Sequence, residues 1–494
     1  MDTNHALSQG NKKRAIVIGG GIAGLMVARV LSDYYGEVLI VDRDNFPVAP
    51  QNRPGTPQAF QPHRLTPRGN MIMEKLFPGF NDDLLRQGAP SSQHKSVHFV
   101  NRYGNMVMQN RNHHATFSRA LLEWVFRQRV HKIANVHFLP KHEVVALQTT
   151  SDRMAVTGVH IRERETRDQK TLTADIVLDA SGRSSKLVKW LQELNFAVPA
   201  PDVLQVNLGY STRHYKVPSH LAEKWDVIRV EGNPDKRSFS EVFSIIENNT
   251  AEMLFWSVGG HYPPTAVSDY EHALTRLTSP LMMEVIQGLE PLTSPRGYRI
   301  SELFRHHFEQ MERWPSGLLV LGDAFCNFDP IYGQGMTVAA IEVEILEACL
   351  REQQQHPMAG FERRVLQKMQ AVVEPAWWLN AVADLQWQGV EYIGAEPLKG
   401  ITFAQKYMDL YQKHATLQRN WDLYGLYWFV NSLFLSPREI INPEMVTAVL
   451  GASDEGNAYL TSLLQEYGQP LDEVLDQIVP SFSDASFVTM DAIN

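Results

Sequence analysis

A chain of 494 residues with 44% hydrophobic, 10% aromatic and 20% charged side chains has ordinary globular composition, which excludes a disordered, collagenous or disulfide-rich secreted protein. Its 46 basic and 55 acidic residues give a net charge of −9; no basic block stands out, so nucleic-acid binding is not expected. Two cysteines, Cys326 and Cys349, supply neither a disulfide framework nor a Cys-rich zinc site; no metal is expected, and the count suits a reducing cytoplasm.

Residues 1–13 read as a flexible polar tail without the apolar core of a signal peptide. Arg14–Ile18 is a short β-branched strand that meets a glycine cluster, followed by a helix over 24–35 and a second strand, Val38–Val41, ending at Asp42. The segment Pro47–Pro67 holds six prolines and reads as an extended loop. A helix is expected over 117–132, then strands Val136–Phe138, Val144–Thr149, Thr157–Arg162 and Asp175–Leu178. From about 200 to 303 shorter alternating strands, Val203–Tyr215, Ser240–Glu247 and Met253–Val258, suggest an inserted antiparallel sheet. Gly317–Leu321 is again a buried strand, and a helix opens near Met336. Beyond about 350 the chain reads as helical. Its most apolar run, Leu423–Leu435, is too short to span a bilayer and reads as a buried helix.

Gly19, Gly21 and Gly24 form G-x-G-x-x-G, with Ile22 and Ala23 between the last two. Gly19 permits the strand-to-helix turn, Gly21 a close approach to a pyrophosphate, and Gly24 the packing of helix on strand. The helix start supplies N–H groups and a positive dipole end. Asp42 stands near the spacing of about 20 residues expected of a ribose-binding acid, and Arg43 beside it faces either the adenosine end or solvent. Some 300 residues on, a strand delivers Asp323, whose carboxylate suits a ribityl chain. Pro330 shapes the loop, and Gly333, Gly335 and Met336 place bare N–H groups at a second helix start, fitted to the charge on a reduced flavin.

With these motifs the chain resembles FAD-dependent monooxygenases of the para-hydroxybenzoate hydroxylase fold. Within that group it is similar to the branch of polyether-type olefin epoxidases and natural-product oxygenases. The matching stretches include RAIVIGGGIAGLMVARVL, RPGTPQAFQPHRLTPRG, IVLDASGRSSKLVKWL and RWPSGLLVLGDAFCNFDPIYGQGMTVAAIE. The resemblance implies an α/β fold with a split Rossmann-like FAD-binding domain of glutathione-reductase type, an inserted antiparallel-sheet substrate domain and a helical C-terminal region. The expected segments are 14–90, 113–200 and 304–355 for FAD, 91–112 and 201–303 for the substrate domain, and 356–494 for the helical end.

Arg119 resembles the arginine that reaches FAD phosphates or the ribityl chain, and Val144 the strand residue that meets the adenine. His63, in the proline-bracketed loop, is placed beside the flavin, where an imidazole can donate to peroxide or move a proton near neutral pH. Arg213 is a candidate for a substrate carboxylate or the cofactor, and Tyr210, Phe243, Phe255, Tyr298, Phe325 and Phe328 for an apolar wall. The implied activity is hydroxylation or epoxidation of an apolar aromatic or olefinic natural-product intermediate by O2 through a flavin C4a-hydroperoxide. Electrons would come from NAD(P)H, directly or through a reductase. Absence of W-x-W among the ten tryptophans argues against a halogenase. A flavoprotein dehydrogenase or oxidase, or a non-redox FAD-dependent cyclase, remains the alternative.

Overall fold

Apolar runs without alternation make the sheet that carries the rest of the molecule. The computed structural model describes residues 13–111, 113–483 and 487–488; all but Lys13 of the polar tail lies outside them. Five strands lie in the order Leu318–Val320, Ile176–Asp179, Arg14–Ile18, Glu37–Val41, Val136–Leu139, and every pairing is parallel. Ala15–Val17, Val177 and Leu178 have no exposed surface. Both the helix Ile22–Leu31 and a three-stranded antiparallel sheet (His142–Thr149, Val156–Glu163, Gln169–Thr173) pack on these strands, so no residue need be polar. The strands come from chain segments far apart, which confirms the split organisation. Ile18 pairs with both Val41 and Asp179, so the strand ends converge on one edge. In open parallel sheets that edge is where ligands bind.

Two glycines set the edge. Gly19 has φ of +102°, and a Cβ on it would stand 2.5 Å from the Ala180 carbonyl oxygen. A Cβ on Gly24 would stand 1.9 Å from the Gly19 carbonyl oxygen.

The second large layer is a mostly antiparallel sheet built from residues 96–109 and 208–300. Its central order is Leu208–Lys216, Thr250–Ser257, Ser240–Ile246, Trp225–Val230, Ser96–Asn101, Gly104–Gln109. Arg296–Ile300 and the short Glu290–Pro291 also pair with Leu208–Lys216. The expected strand Val203–Tyr215 is in fact two. Asn207 adopts φ of +41° and breaks it, so Asp202–Gln205 joins Leu303–Arg305 and Glu391–Ile393 in a separate sheet. The proline segment is interrupted by one 3-10 turn, Pro57–Phe60, and its end opens the helix Pro67–Leu76, where the Thr66 hydroxyl accepts from Gly69 N–H.

Long helices Gly335–Gln355, Phe361–Asp384 and Ile401–Leu417 lead the C-terminal region. The run Leu423–Leu435 contains the helix Trp421–Asn431, in which only Tyr424 and Val430 are buried. The expected buried helix is therefore half-buried, because its aromatic face borders a cavity instead of core. Among the described residues no helix is long and apolar enough to cross a membrane.

Gly24→Ala should destabilise the protein by at least the roughly 1–3 kcal/mol typical of overpacking, since the clash is backbone on backbone. Thermal unfolding of the variant beside Gly21→Ala checks this. Only the Gly24 change should lower the melting temperature, because a Cβ at Gly21 meets nothing nearer than Arg53 Nη2 at 3.8 Å.

Candidate active site

The converging strand ends open into a cavity. Gly19, Gly21, Ile22 and Ala23 line it from the glycine turn, and Asp42 and Arg43 from the end of the second strand. Val144 and Arg119 add a further wall. Asp323, Pro330, Gly333, Gly335 and Met336 close it from the fifth strand and the helix start after it. His63 lines the same space from the proline segment. Gly24 does not; its role is the helix–strand contact. Arg213 is also absent from the lining.

The helix Ile22–Leu31 has no side-chain cap, so its first N–H groups remain for a ligand. Asp42 Oδ2 accepts from Gly20 N–H at 2.7 Å and Oδ1 from Asp44 N–H at 2.8 Å. The acid thus ties the glycine turn to the second strand as well as facing the cavity. Arg53, which the motifs do not reveal, is buried beside it. Its Nε donates to Glu123 Oε1 at 2.7 Å and Nη1 to Asp44 Oδ2 at 2.8 Å. Burial opposes its charge, but Glu123 and Asp42 outweigh that and hold the guanidinium above its ordinary range. The available signal was a Pro47–Pro67 segment containing basic but no acidic residues.

Arg119 is buried, and burial together with Arg53 lowers its guanidinium pKa. Nη2 lies 3.4 Å from Glu123 Oε2 and Nη1 3.3 Å from Met336 Sδ, while Nε has no partner. Asp323 accepts no hydrogen bond from the described residues. Burial raises its carboxyl pKa, against the pull of Arg119 and Arg183. An orphaned buried donor, a carboxyl without a donor, and a cradle that a Gly21 side chain would fill are what a ribityl–diphosphate ligand satisfies. The residues present fit FAD. Arg183 donates to the Glu302 carbonyl at 2.7 Å and does not line the cavity.

His63 departs from its expected chemistry. Nδ1 lies 2.8 Å from the Gln61 carbonyl oxygen; a carbonyl only accepts, so the proton is on Nδ1 and Nε2 carries a lone pair. Burial, reinforced by Arg119, brings its pKa down to about 4. At neutral pH it is an uncharged acceptor at Nε2, not an acid.

Arg213 is corrected more fully. Strand alternation puts it on the face opposite Tyr210 and Thr212. There Nε donates to the Thr293 carbonyl at 2.8 Å, Nη1 pairs with Glu271, and the guanidinium stacks over Tyr215. Phe243 and Phe255 belong to the small core on that same far side, and Phe325 is fully buried core, whereas Phe328 lines the first cavity. Thr212 donates to Gln61 Oε1, bracing the proline segment.

A second cavity of about 1170 Å³ adjoins the first, sharing Pro62, Arg64, Pro330 and Gly333 with it. Such a volume is at the upper end for small-molecule sites. One wall is the face of the large sheet on which Val227 pairs with Val97 and Ser244, and Arg229 with Phe99 and Val242. The facing wall is the helix Trp421–Asn431, with Phe99 5.2 Å from the Trp428 ring and 5.8 Å from Tyr424. Of the expected wall, Tyr210 is present.

The chain is similar to known proteins. A family model described as the FAD binding domain matches residues 12–374; the chain belongs to that family and is a flavin-dependent enzyme. Protein Rv3254 of Mycobacterium tuberculosis is 28% identical over 402 residues, 78% of this chain and 82% of that protein. Squalene monooxygenase of Mus musculus is 23% identical over 359 residues, 68% of this chain but 54% of that protein. The crystal structure of a flavoprotein/dehydrogenase from Cytophaga hutchinsonii matches with a TM-score of 0.61 at 14% identity, covering 92% of this chain and 100% of that one. That last likeness establishes the fold alone.

Gly21→Val should abolish FAD binding and leave the fold intact, because its side chain enters the cavity and strikes no backbone. Flavin content by absorbance, with circular dichroism in parallel, tests this; wild-type flavin content in the variant contradicts the assignment.

Proposed function

We propose that the chain is an FAD-dependent monooxygenase that inserts one atom of O2 into an apolar aromatic or olefinic substrate. NAD(P)H, used directly or through a reductase, supplies two electrons, and the second oxygen atom leaves as water. The observation that carries this reading is the large aromatic cavity opening onto the FAD cavity at Pro62, Arg64, Pro330 and Gly333. A relative named squalene monooxygenase supports oxygen transfer, and an olefin as the first substrate to try. FAD, when bound, supplies the activation of O2.

The chain's own residues position and exclude. The helix start at Gly335 has no side-chain cap, so its N–H groups are available to negative charge. The sheet face and the aromatic helix surround the substrate and keep water away. Beside the residues the cavities share, His63 Nε2 is available as a hydrogen-bond acceptor, and because the imidazole is neutral it neither repels nor titrates in the physiological range.

Supplying oxygen-18 gas to the reduced holoenzyme with a panel of apolar alkenes and arenes should give product carrying one labelled atom. Oxidised product without label would transfer the chain to the dehydrogenases or oxidases, and product formed without net oxidation to the non-redox cyclases.

His63→Ala should keep FAD bound and lower product formed per electron pair by about two- to tenfold, the size of one lost hydrogen bond. The sign of its pH linkage is also fixed. Folded His63 titrates at about 4, below its ordinary 6.5, so the unfolded state binds more protons. Its contribution to stability is full above about pH 6.5 and is lost as pH falls toward 4. Removing it should make acid destabilisation shallower across that window, which melting temperatures measured from pH 7 to 4 will show.

A further inference from the structure

Arg229 stands on the sheet face of the large cavity, between two apolar neighbours, Phe99 and Val242, in its cross-strand row. No hydrogen bond or ion pair from the described residues reaches its guanidinium. Of the other arginines lining the two cavities, Arg64 is held by Asp226 at 2.7 Å and Arg53 by Asp44 and Glu123, whereas Arg43 and Arg111 are exposed to solvent. A cation without a counter-ion on an apolar wall is unfavourable unless a ligand supplies the opposite charge.

Nearby carboxyl groups do not fill that role. Asp329 and Glu231 both feel Arg229, but burial raises the pKa of each. Asp329 is buried with Asp384, whose carboxyl burial also raises, with the charge of Asp329 adding to it. One oxygen of each acid is taken by neighbours, and Asp329 Oδ2 and Asp384 Oδ2 are buried without a hydrogen-bond partner. Asp329 Oδ1 accepts from Ile331 N–H at 2.9 Å and the Tyr210 hydroxyl at 3.3 Å, and Asp384 Oδ1 from the Tyr332 hydroxyl at 3.0 Å. Because Tyr210 and Tyr332 donate to these acids, their oxygens face a ligand only as acceptors. Among the strand residues of this wall, Arg229 is the cationic donor.

We propose that Arg229 binds the carboxylate of an amphipathic acid substrate whose hydrocarbon or aryl body lies along the helix Trp421–Asn431. This rests on reading the aromatic cavity as the substrate chamber, and it narrows the substrate class to apolar carboxylic acids. A guanidinium presents two parallel donors matched to the two oxygens of a carboxylate.

The test uses the FAD-loaded protein and two probes of equal chain length, dodecanoate and dodecanol, with affinities from isothermal titration calorimetry. Wild type should bind dodecanoate about tenfold or more tighter than dodecanol, the size of a charge-assisted contact. Arg229→Gln should bring the acid down to the affinity of the alcohol and leave the alcohol within about twofold. Arg229→Lys should keep part of the preference, which guards against a variant that fails to fold. Equal binding of the two probes by wild type, no binding of dodecanoate, or parallel weakening of both probes in Arg229→Gln each overturn the proposal. The readout needs neither O2 nor turnover. Acid selectivity at Arg229 without oxygen-18 in product would retain the anchor and reject the monooxygenase, whereas labelled product from neutral substrates with no acid preference would do the reverse.

Discussion

The site depends on how closely the first helix approaches the strand before it. With no Cβ on Gly24, the helix backbone sits directly against the Gly19 carbonyl, and the uncapped helix start points at the strand edge. Gly19 in turn passes against Ala180 in a conformation that other residues rarely adopt. From this one contact follow the direction of the helix dipole, the open space before Gly21 and the position of Asp42, which is locked to Gly20. The later segments, ending in Asp179 and Val320, register on the same strands and bring Ser181 and Asp323 to the same edge.

Around that edge the protein buries charge in balance. Arg53, Arg119 and Arg127 interleave with Asp42, Asp44 and Glu123. The balance is uneven within the group, however. Arg53 has three carboxylate neighbours, while Arg119 has only a 3.4 Å contact to Glu123 and an orphaned Nε. Buried charge is tolerated when paired and is costly otherwise. The shortfall lies on the side that faces the cavity, where a bound diphosphate or ribityl hydroxyl would remove it.

Local chemistry was legible in the sequence, and three-dimensional choice was not. The glycine turn, Asp42, Asp323 and the second helix start are contiguous patterns whose spacing carries their geometry. Strand alternation correctly separated Tyr210 and Thr212 from Arg213, but period two cannot say which face meets a cavity. Arg213 turned out to face the small outer core, while Arg229, with no motif around it, faces the cavity. The apolar run at 423–435 was ambiguous for the same reason: core and cavity wall demand the same side chains. His63 lines the first cavity, yet its chemistry depends on a carbonyl two residues away and on the charge of Arg119. Neither is visible in a string of letters.

The two cavities differ in where they come from along the chain, and that bears on specificity. The first cavity is built between residues 18 and 339, inside the stretch matched by the family model. The aromatic wall of the second cavity is the helix at 421–431, beyond the matched stretch. Its opposite wall is the sheet face carrying Arg229. The helix wall is thus the part of the second cavity that lies outside the family stretch, while Arg229 lies within it. The partition between the two, Pro62 to Arg64, belongs to neither sheet and is braced by two strands of the large one: Thr212 donates to Gln61, and Asp226 accepts from Arg64. A change on that sheet can thus shift His63 and Arg64 together, coupling the shape of one cavity to that of the other.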